Sequence, residues 1–301
     1  MQLINYFCTL IISSSLIIMS IVQPSTVFAY EIQTQLQQTE LNSYSLTTAT
    51  NGVWLSGASY CDKDHYKTMQ LGGPVSDFKY TDTIYDLKSD MQGFVGILPS
   101  TKSIYVVFRG SSSTLNWLDD FEVKLVPYDT YPECGCKVHY GFYHTTLAIK
   151  DQVINSINRL KKLYPTYNVM CSGHSLGAIM ALMTAMELKK VGIDSQTYNY
   201  GQPRGGDKIF ASFVNSKLGL NNYYRYVHNK DMVPHTPPIE GFGYYHSCTE
   251  IWENASGSLK TCSNTNCEDP TCSDQFSLVQ TNTADHSIYL GHVLSCEAST
   301  I

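Results

Sequence analysis

The sequence predicts an α/β fold, a mostly parallel central sheet with helices on both faces, on three observations. Short β-branched runs alternate with helix-like stretches through the middle of the chain, the pattern of successive βα units. Hydrophobic residues make up 43% of the 301 residues and charged ones only 15%, which provides apolar surface for a sizeable core. One charge-poor run, "NVMCSGHSLGAIMALM" from Asn168 to Met183, carries Gly, His and Ser at its centre. Polar residues there need a reason other than packing.

In chain order, residues 95–99 and 103–109 ("SIYVVFR") are short apolar β-branched runs, read as a paired hairpin. Residues 145–163 place Leu147, Val153, Ile154, Ile157 and Leu160 at helical spacing, and Pro165 stops the helix. A buried strand over 167–172, a helix over 176–190 and a strand over 197–200 follow. A weaker helix over 210–218 leads to a strand-like run at 223–228. Residues 240–277 are rich in Gly, Ser, Asn and Cys and read as disulfide-pinned loops.

The first 29 residues carry no charged side chain, and the apolar run within them is short for a membrane span. It ends in Val27-Phe28-Ala29, a small-residue cleavage pattern, so residues 1–29 read as a signal peptide and the protein as secreted, without a stable membrane span. No repeat, low-complexity tract or linker follows, so 30–301 reads as a single domain. The net charge of −6 and the absence of a Lys/Arg cluster argue against nucleic acid as a partner. Of the ten cysteines, Cys8 leaves with the leader and Cys171 sits in the apolar run as a buried thiol. Cys61, Cys134, Cys136, Cys248, Cys262, Cys267, Cys272 and Cys296 remain, an even set compatible with disulfides in an oxidising compartment. Cys262, Cys267 and Cys272 lack the two-residue gap of a zinc knuckle, so no metal site is expected.

The central run contains Gly173-His174-Ser175-Leu176-Gly177, a G-x-S-x-G between an expected strand and an expected helix. That context suits a nucleophile elbow: small residues on either side leave room for a strained turn, and the serine stands at a helix N-terminus, where amides favour developing negative charge. A serine hydroxyl is a weak nucleophile and needs a general base oriented by an acid. Candidate acids after Ser175 are Asp194, Asp207, Asp231, Asp269, Asp274 and Asp285. Only Asp231 directly follows a strand-like run ("YYRYVHNKD") that can lie parallel to the nucleophile strand. His235 and His246 follow Asp231 too closely, which leaves His286 and His292 in "ADHSIYLGH" as bases, with no local feature to separate them.

At this point the chain resembles the class 3, fungal-type triacylglycerol lipases, a family that also includes feruloyl esterases and phospholipases A1. The likeness runs from about Ala58 to Cys296 and rests on "VVFRGSSS", "NWLDDF", "KVHYGF", "GHSLG", "YGQPRGGD", "NKDMVPH" and "DHSIYLG". It implies an α/β-hydrolase-type sheet with a short helical lid. Ser175 falls on the nucleophile, Asp231 on the triad acid and His286 on the histidine of D-H-x-x-Y, with Tyr289 completing that motif. The oxyanion donors implied are the amides of Leu176 and Ser111, the latter with its hydroxyl. Residues 112–120 match the lid: Leu115, Trp117 and Leu118 lie on or near one helical face, and Asp120 matches the aspartate that supports the oxyanion serine. Cys61 and Cys296 match a disulfide between the terminal regions. Ala178 replaces a glycine common after the motif, a neutral departure for a helix.

The resemblance implies hydrolysis of carboxylic esters, foremost acylglycerols at an oil–water interface, by a monomer needing no cofactor. A feruloyl esterase, a phospholipase and an inactive lipid-binding relative are the rivals. Asn254-Ala255-Ser256 is a glycosylation sequon in a loop.

Overall fold

The computed structural model describes residues 44–111 and 123–301, which form one unit from Tyr44 onward. Residues 1–29, read from the sequence as a signal peptide, and Leu115, Trp117, Leu118 and Asp120, read as a lid, lie outside the described residues.

Eight strands make the main sheet, in spatial order β1 to β8: β1 Lys79–Asp86, β2 Met91–Leu98, β3 Ser103–Phe108, β4 Asn168–His174, β5 Gln196–Tyr200, β6 Tyr223–His228, β7 Glu250–Glu253 and β8 Leu259–Thr261. The run from β3 to β7 is parallel throughout, while β1, β2 and β8 join antiparallel at the two edges. The expected hairpin is β2–β3. Strands β7 and β8 lie in the region read as loops; each is only three or four residues long, too short for an alternation to stand out.

The two-residue period of a strand divides the core. Ile104, Val106 and Phe108 of β3, with Val169 and Cys171 of β4, enter one apolar cluster. Tyr105, Val107 and Met170 enter the cluster on the opposite face. Three helices, α2 Tyr140–Leu163, α3 Leu176–Lys190 and α4 Lys208–Leu218, supply Ile157, Leu182 and Val214 to the first cluster. The second is covered by α1 Leu46–Ala58 through Ala49, Val53 and Leu55. Ser45 caps α1 by accepting the Thr48 amide at 3.2 Å, and Asp207 caps α4 by accepting that of Phe210 at 2.8 Å. Helix α2 starts five residues before the expected 145, where the His139 side chain accepts the Phe142 amide at 3.3 Å. A smaller four-stranded sheet is built from pieces of two or three residues at 125–127, 137–139, 206–207 and 244–245. Among the described residues, no helix is long and apolar enough to cross a membrane.

Candidate active site

The turn between β4 and α3 is strained at one residue. Ser175 has φ 59° and ψ −128°, a conformation that residues bearing a β-carbon rarely adopt. Its amide donates to the Tyr200 carbonyl at 2.9 Å, which ties the turn to β5. The flanking glycines are required by space. A β-carbon on Gly173 would lie 2.2 Å from the Gly177 oxygen, and one on Gly177 would lie 2.2 Å from the Phe108 oxygen. Although Ser175 occupies the N-cap position of α3, its hydroxyl caps nothing. The oxygen is buried and makes no hydrogen bond among the described residues.

Asp231 lies just past the end of β6, two strands from the nucleophile strand. It is fully buried, and its Oδ2 accepts from His286 Nδ1 at 2.7 Å and from the Tyr289 hydroxyl. Its Oδ1 accepts the Val233 amide at 2.9 Å. The bond from Nδ1 to this carboxylate directs the imidazole lone pair to Nε2. His286 Nε2 is also buried without a partner among the described residues. The Ser175 amide is bonded to Tyr200, and the neighbouring Gly201 backs onto the His286 ring, so an unengaged hydroxyl and an unengaged ring nitrogen lie on adjoining segments. The phenol of Tyr289 is held well above its usual range, first by burial and then by Asp231, so it remains a donor.

Asp285, weighed as a triad acid, does something else. Its Oδ2 accepts from Asn229 Nδ2 at 2.9 Å, the Lys230 amide at 3.1 Å and Asn282 Nδ2 at 2.8 Å. These bonds clamp the His286 loop to the turn that carries Asp231. Asp194 pairs with Lys189 at the surface, Asp207 caps α4, Asp269 folds its own loop through Ser263 and Thr271, and Asp274 faces Arg204. His292 is away from the site's hydrogen bonds: it stacks on Trp54 with centroids 4.2 Å apart, and its Nε2 lies 2.9 Å from Ser299 Oγ.

On the other side of Ser175, β3 ends at Phe108 and runs through Arg109 and Gly110 to Ser111. A β-carbon on Gly110 would lie 2.9 Å from Ser175 Cβ, so this segment abuts the elbow, and Ser111 is half-buried just beyond it. Leu176 opens α3, where the first amides of a helix lack intrahelical partners. The arrangement offers a buried serine hydroxyl, an imidazole bonded to a carboxylate and two flanking main-chain segments, groups with the chemistry that acyl transfer needs.

Sequence reasoning missed two contributors. Gly201 has φ +58°, and Tyr60 reaches the elbow histidine from 114 positions upstream. Gly201 lies within the quoted "YGQPRGGD", whereas nothing local marks Tyr60. Disulfides join Cys61–Cys296, Cys134–Cys136, Cys248–Cys267 and Cys262–Cys272. Cys171 is free and buried, its thiol pushed up to about 12 by burial. Glu250, Cys262 and Cys272 cluster closely enough to hold a metal ion, but both sulfurs are committed to one disulfide.

The family model for class 3 lipases matches residues 105–241. The lipase of Rhizomucor miehei is 35% identical over 257 residues, covering 83% of this chain and 65% of that protein. A secreted mono- and diacylglycerol lipase of Fusarium solani is 34% identical over 170 residues, 56% of this chain and 50% of that protein. The chain spans less than two thirds of the length of these curated relatives. Among solved structures, one described as a triacylglycerol lipase with a serine-protease triad as its catalytic centre aligns with a TM-score of 0.76 at 32% identity. That alignment covers 84% of this chain and 98% of the other.

Proposed function

The chain belongs to the class 3 lipase family, and from that premise we propose that it is a secreted serine hydrolase cleaving the carboxylic ester bonds of acylglycerols. The observation that carries the reading is the buried Asp231–His286 hydrogen bond, which leaves His286 Nε2 unengaged, on a segment that adjoins the elbow with its unengaged Ser175 hydroxyl.

In this mechanism Ser175 Oγ attacks the acyl carbonyl carbon while His286 Nε2 takes the hydroxyl proton. Negative charge develops on the former carbonyl oxygen and is met by the amides of Leu176 and Ser111, with the Ser111 hydroxyl. The tetrahedral species collapses, the C–O bond to the alcohol breaks, and His286 returns the proton to the departing oxygen. Water then attacks the acyl-enzyme by the same proton path, releasing the acid and restoring Ser175. Asp231 stabilises the imidazolium formed in each half-reaction and holds its tautomer. The chemistry described draws on side chains and amides alone.

Residues 1–29 act as a leader removed on secretion, and the mature chain from 30 works as one domain and a monomer. The relative of Fusarium solani, described as secreted, supports the export of the chain. Amino-terminal sequencing of the secreted protein tests it; a mature chain starting well before residue 30 would contradict it.

The lid decides between acylglycerol and soluble ester. Hiding Leu115, Trp117 and Leu118 against the site in water saves about 1.5–3 kcal/mol per fully buried large side chain, and an oil surface supplies the same burial with the lid open. Hydrolysis should therefore rise sharply once substrate droplets form, and Trp117→Ser should depress emulsified long-chain triacylglycerol hydrolysis far more than that of a dissolved short ester. No break at the solubility limit, with equal loss on both substrates, would favour a soluble-ester esterase such as a feruloyl esterase. Phospholipid as the preferred substrate would favour a phospholipase A1.

A further inference from the structure

His174, the variable residue of the G-x-S-x-G motif, is buried and takes part in no step of the reaction described above. Its ring nitrogens nevertheless join segments far apart in sequence. Nε2 lies 2.7 Å from the main-chain oxygen of His286. A carbonyl only accepts, so Nε2 carries the proton and Nδ1 presents a lone pair. Nδ1 lies 2.7 Å from the Tyr60 hydroxyl, which must donate to it. The Tyr60 oxygen packs in turn against Gly110, whose α-carbon is so near that a β-carbon there would fall 2.2 Å from that oxygen.

Every donor direction along this chain is forced. Tyr60 O–H donates to His174 Nδ1, and His174 Nε2–H to the His286 carbonyl, while the Tyr60 oxygen rests against Gly110. The His174 and His286 rings also lie against each other, centroids 4.2 Å apart. Burial, and then His286, hold His174 well below the ordinary histidine value, so it keeps the lone pair that Tyr60 needs.

We propose that His174 is a positioning residue: with Tyr60 it couples the end of β3, which leads into Ser111, to the main chain of His286, and so holds the base and the oxyanion donor in fixed relation to Ser175. The proposal rests on the reading of Ser175 and His286 as nucleophile and base. A histidine that merely filled space would need neither a fixed tautomer nor a partner in the main chain of the base.

The test compares the full chain with His174→Leu, His174→Gln, Tyr60→Phe and the Tyr60→Phe/His174→Leu double variant on a dissolved p-nitrophenyl butyrate. Values of kcat and KM are read beside the thermal midpoint, with Ser175→Ala as control. A misplaced catalytic group costs about 10²-fold, so His174→Leu should lower kcat by about that factor with KM changed less than about two-fold. Glutamine can place an N–H near the position of Nε2, so His174→Gln should restore about ten-fold of the loss. Tyr60→Phe should lower kcat several-fold, and the double variant should be no worse than His174→Leu, because coupled groups are non-additive. The proposal is overturned if His174→Leu retains kcat within about three-fold, if glutamine does no better than leucine, or if the two losses multiply. Should His174→Leu not fold, an unchanged kcat in Tyr60→Phe overturns it alone. A Ser175→Ala control as active as the parent would instead remove the serine-hydrolase reading, and this proposal with it.

Discussion

The α-carbon of Gly201 backs directly onto the imidazole of His286. A β-carbon built there would lie 2.7 Å from both Cε1 and Nδ1 of that ring and 2.8 Å from Asp231 Oδ2. The backbone at Gly201 also has φ +58°, which L side chains rarely adopt. Gly201→Ala should therefore displace the Asp231–His286 pair although it removes no functional group. We expect kcat/KM on a dissolved ester to fall by about ten-fold or more, since displacing catalytic groups by an ångström is costly. An alanine variant with full activity would show that the pair tolerates the methyl group.

His286 and His292 stand only six positions apart and should respond to substitution in opposite ways. His286→Ala should reduce kcat by several orders of magnitude, as Ser175→Ala should, because triad members act as a unit. His292→Ala removes the stack on Trp54 and the bond to Ser299, neither of which reaches the Asp231–His286 pair. It should leave kcat within about two-fold and cost about 1–2 kcal/mol of stability, read from denaturant midpoints.

Loop length ranks the disulfides. Cys61–Cys296 spans a sequence separation of 235, whereas Cys134–Cys136 spans 2. In the chain-entropy account, longer closed loops restrict the unfolded state more, so Cys61→Ala/Cys296→Ala should lower the unfolding free energy by about 2–5 kcal/mol. Cys134→Ala/Cys136→Ala should cost clearly less. Urea unfolding of both double variants reads the difference, and equal losses would contradict the ranking.

Acid should destabilise the fold through its buried neutral histidines. His235 is pushed down to about 4, first by burial and then by the Arg204 guanidinium, from an ordinary 6.5. The unfolded chain therefore binds a proton near pH 6.5 that the native state refuses, and stability falls as pH drops from 6.5 toward 4. The contribution is fully present above pH 6.5. His174 and His246 are lowered by the same leading cause and act in the same direction. Between pH 6.5 and 5.5, replacing His235 with Gln should flatten the decline of unfolding free energy by about 1 kcal/mol per pH unit. Parallel slopes in the two proteins would show that His235 takes no part.

Local chemistry is legible in the residues themselves. The six buried residues of β3, the helical spacing of α2 and the run through β4 and α3 depend on neighbours within a few positions. Two other elements hide their periodicity. Helix α1 buries Asn51, Ser56 and Gly57 beside its apolar residues, so its inward face does not read as hydrophobic. Strand β1 is half-buried along most of its length, so its alternation is weak.

By itself the sequence determined the alternation of strands and helices from β2 to β6, the serine turn and the position of Asp231 after a strand, because φ/ψ preferences and hydrophobic periods act over a few residues. The tertiary structure decided what distant segments do to one another. It set the pairing of the six cysteines other than Cys61 and Cys296, placed Gly201 behind the Asp231–His286 pair and brought Tyr60 to His174. His286 and His292 carry the same imidazole within one short stretch, and only the packing of the chain gives one a carboxylate and the other an indole face. Such contacts form only when the sheet aligns strands from distant parts of the chain, and no local window of sequence contains both partners.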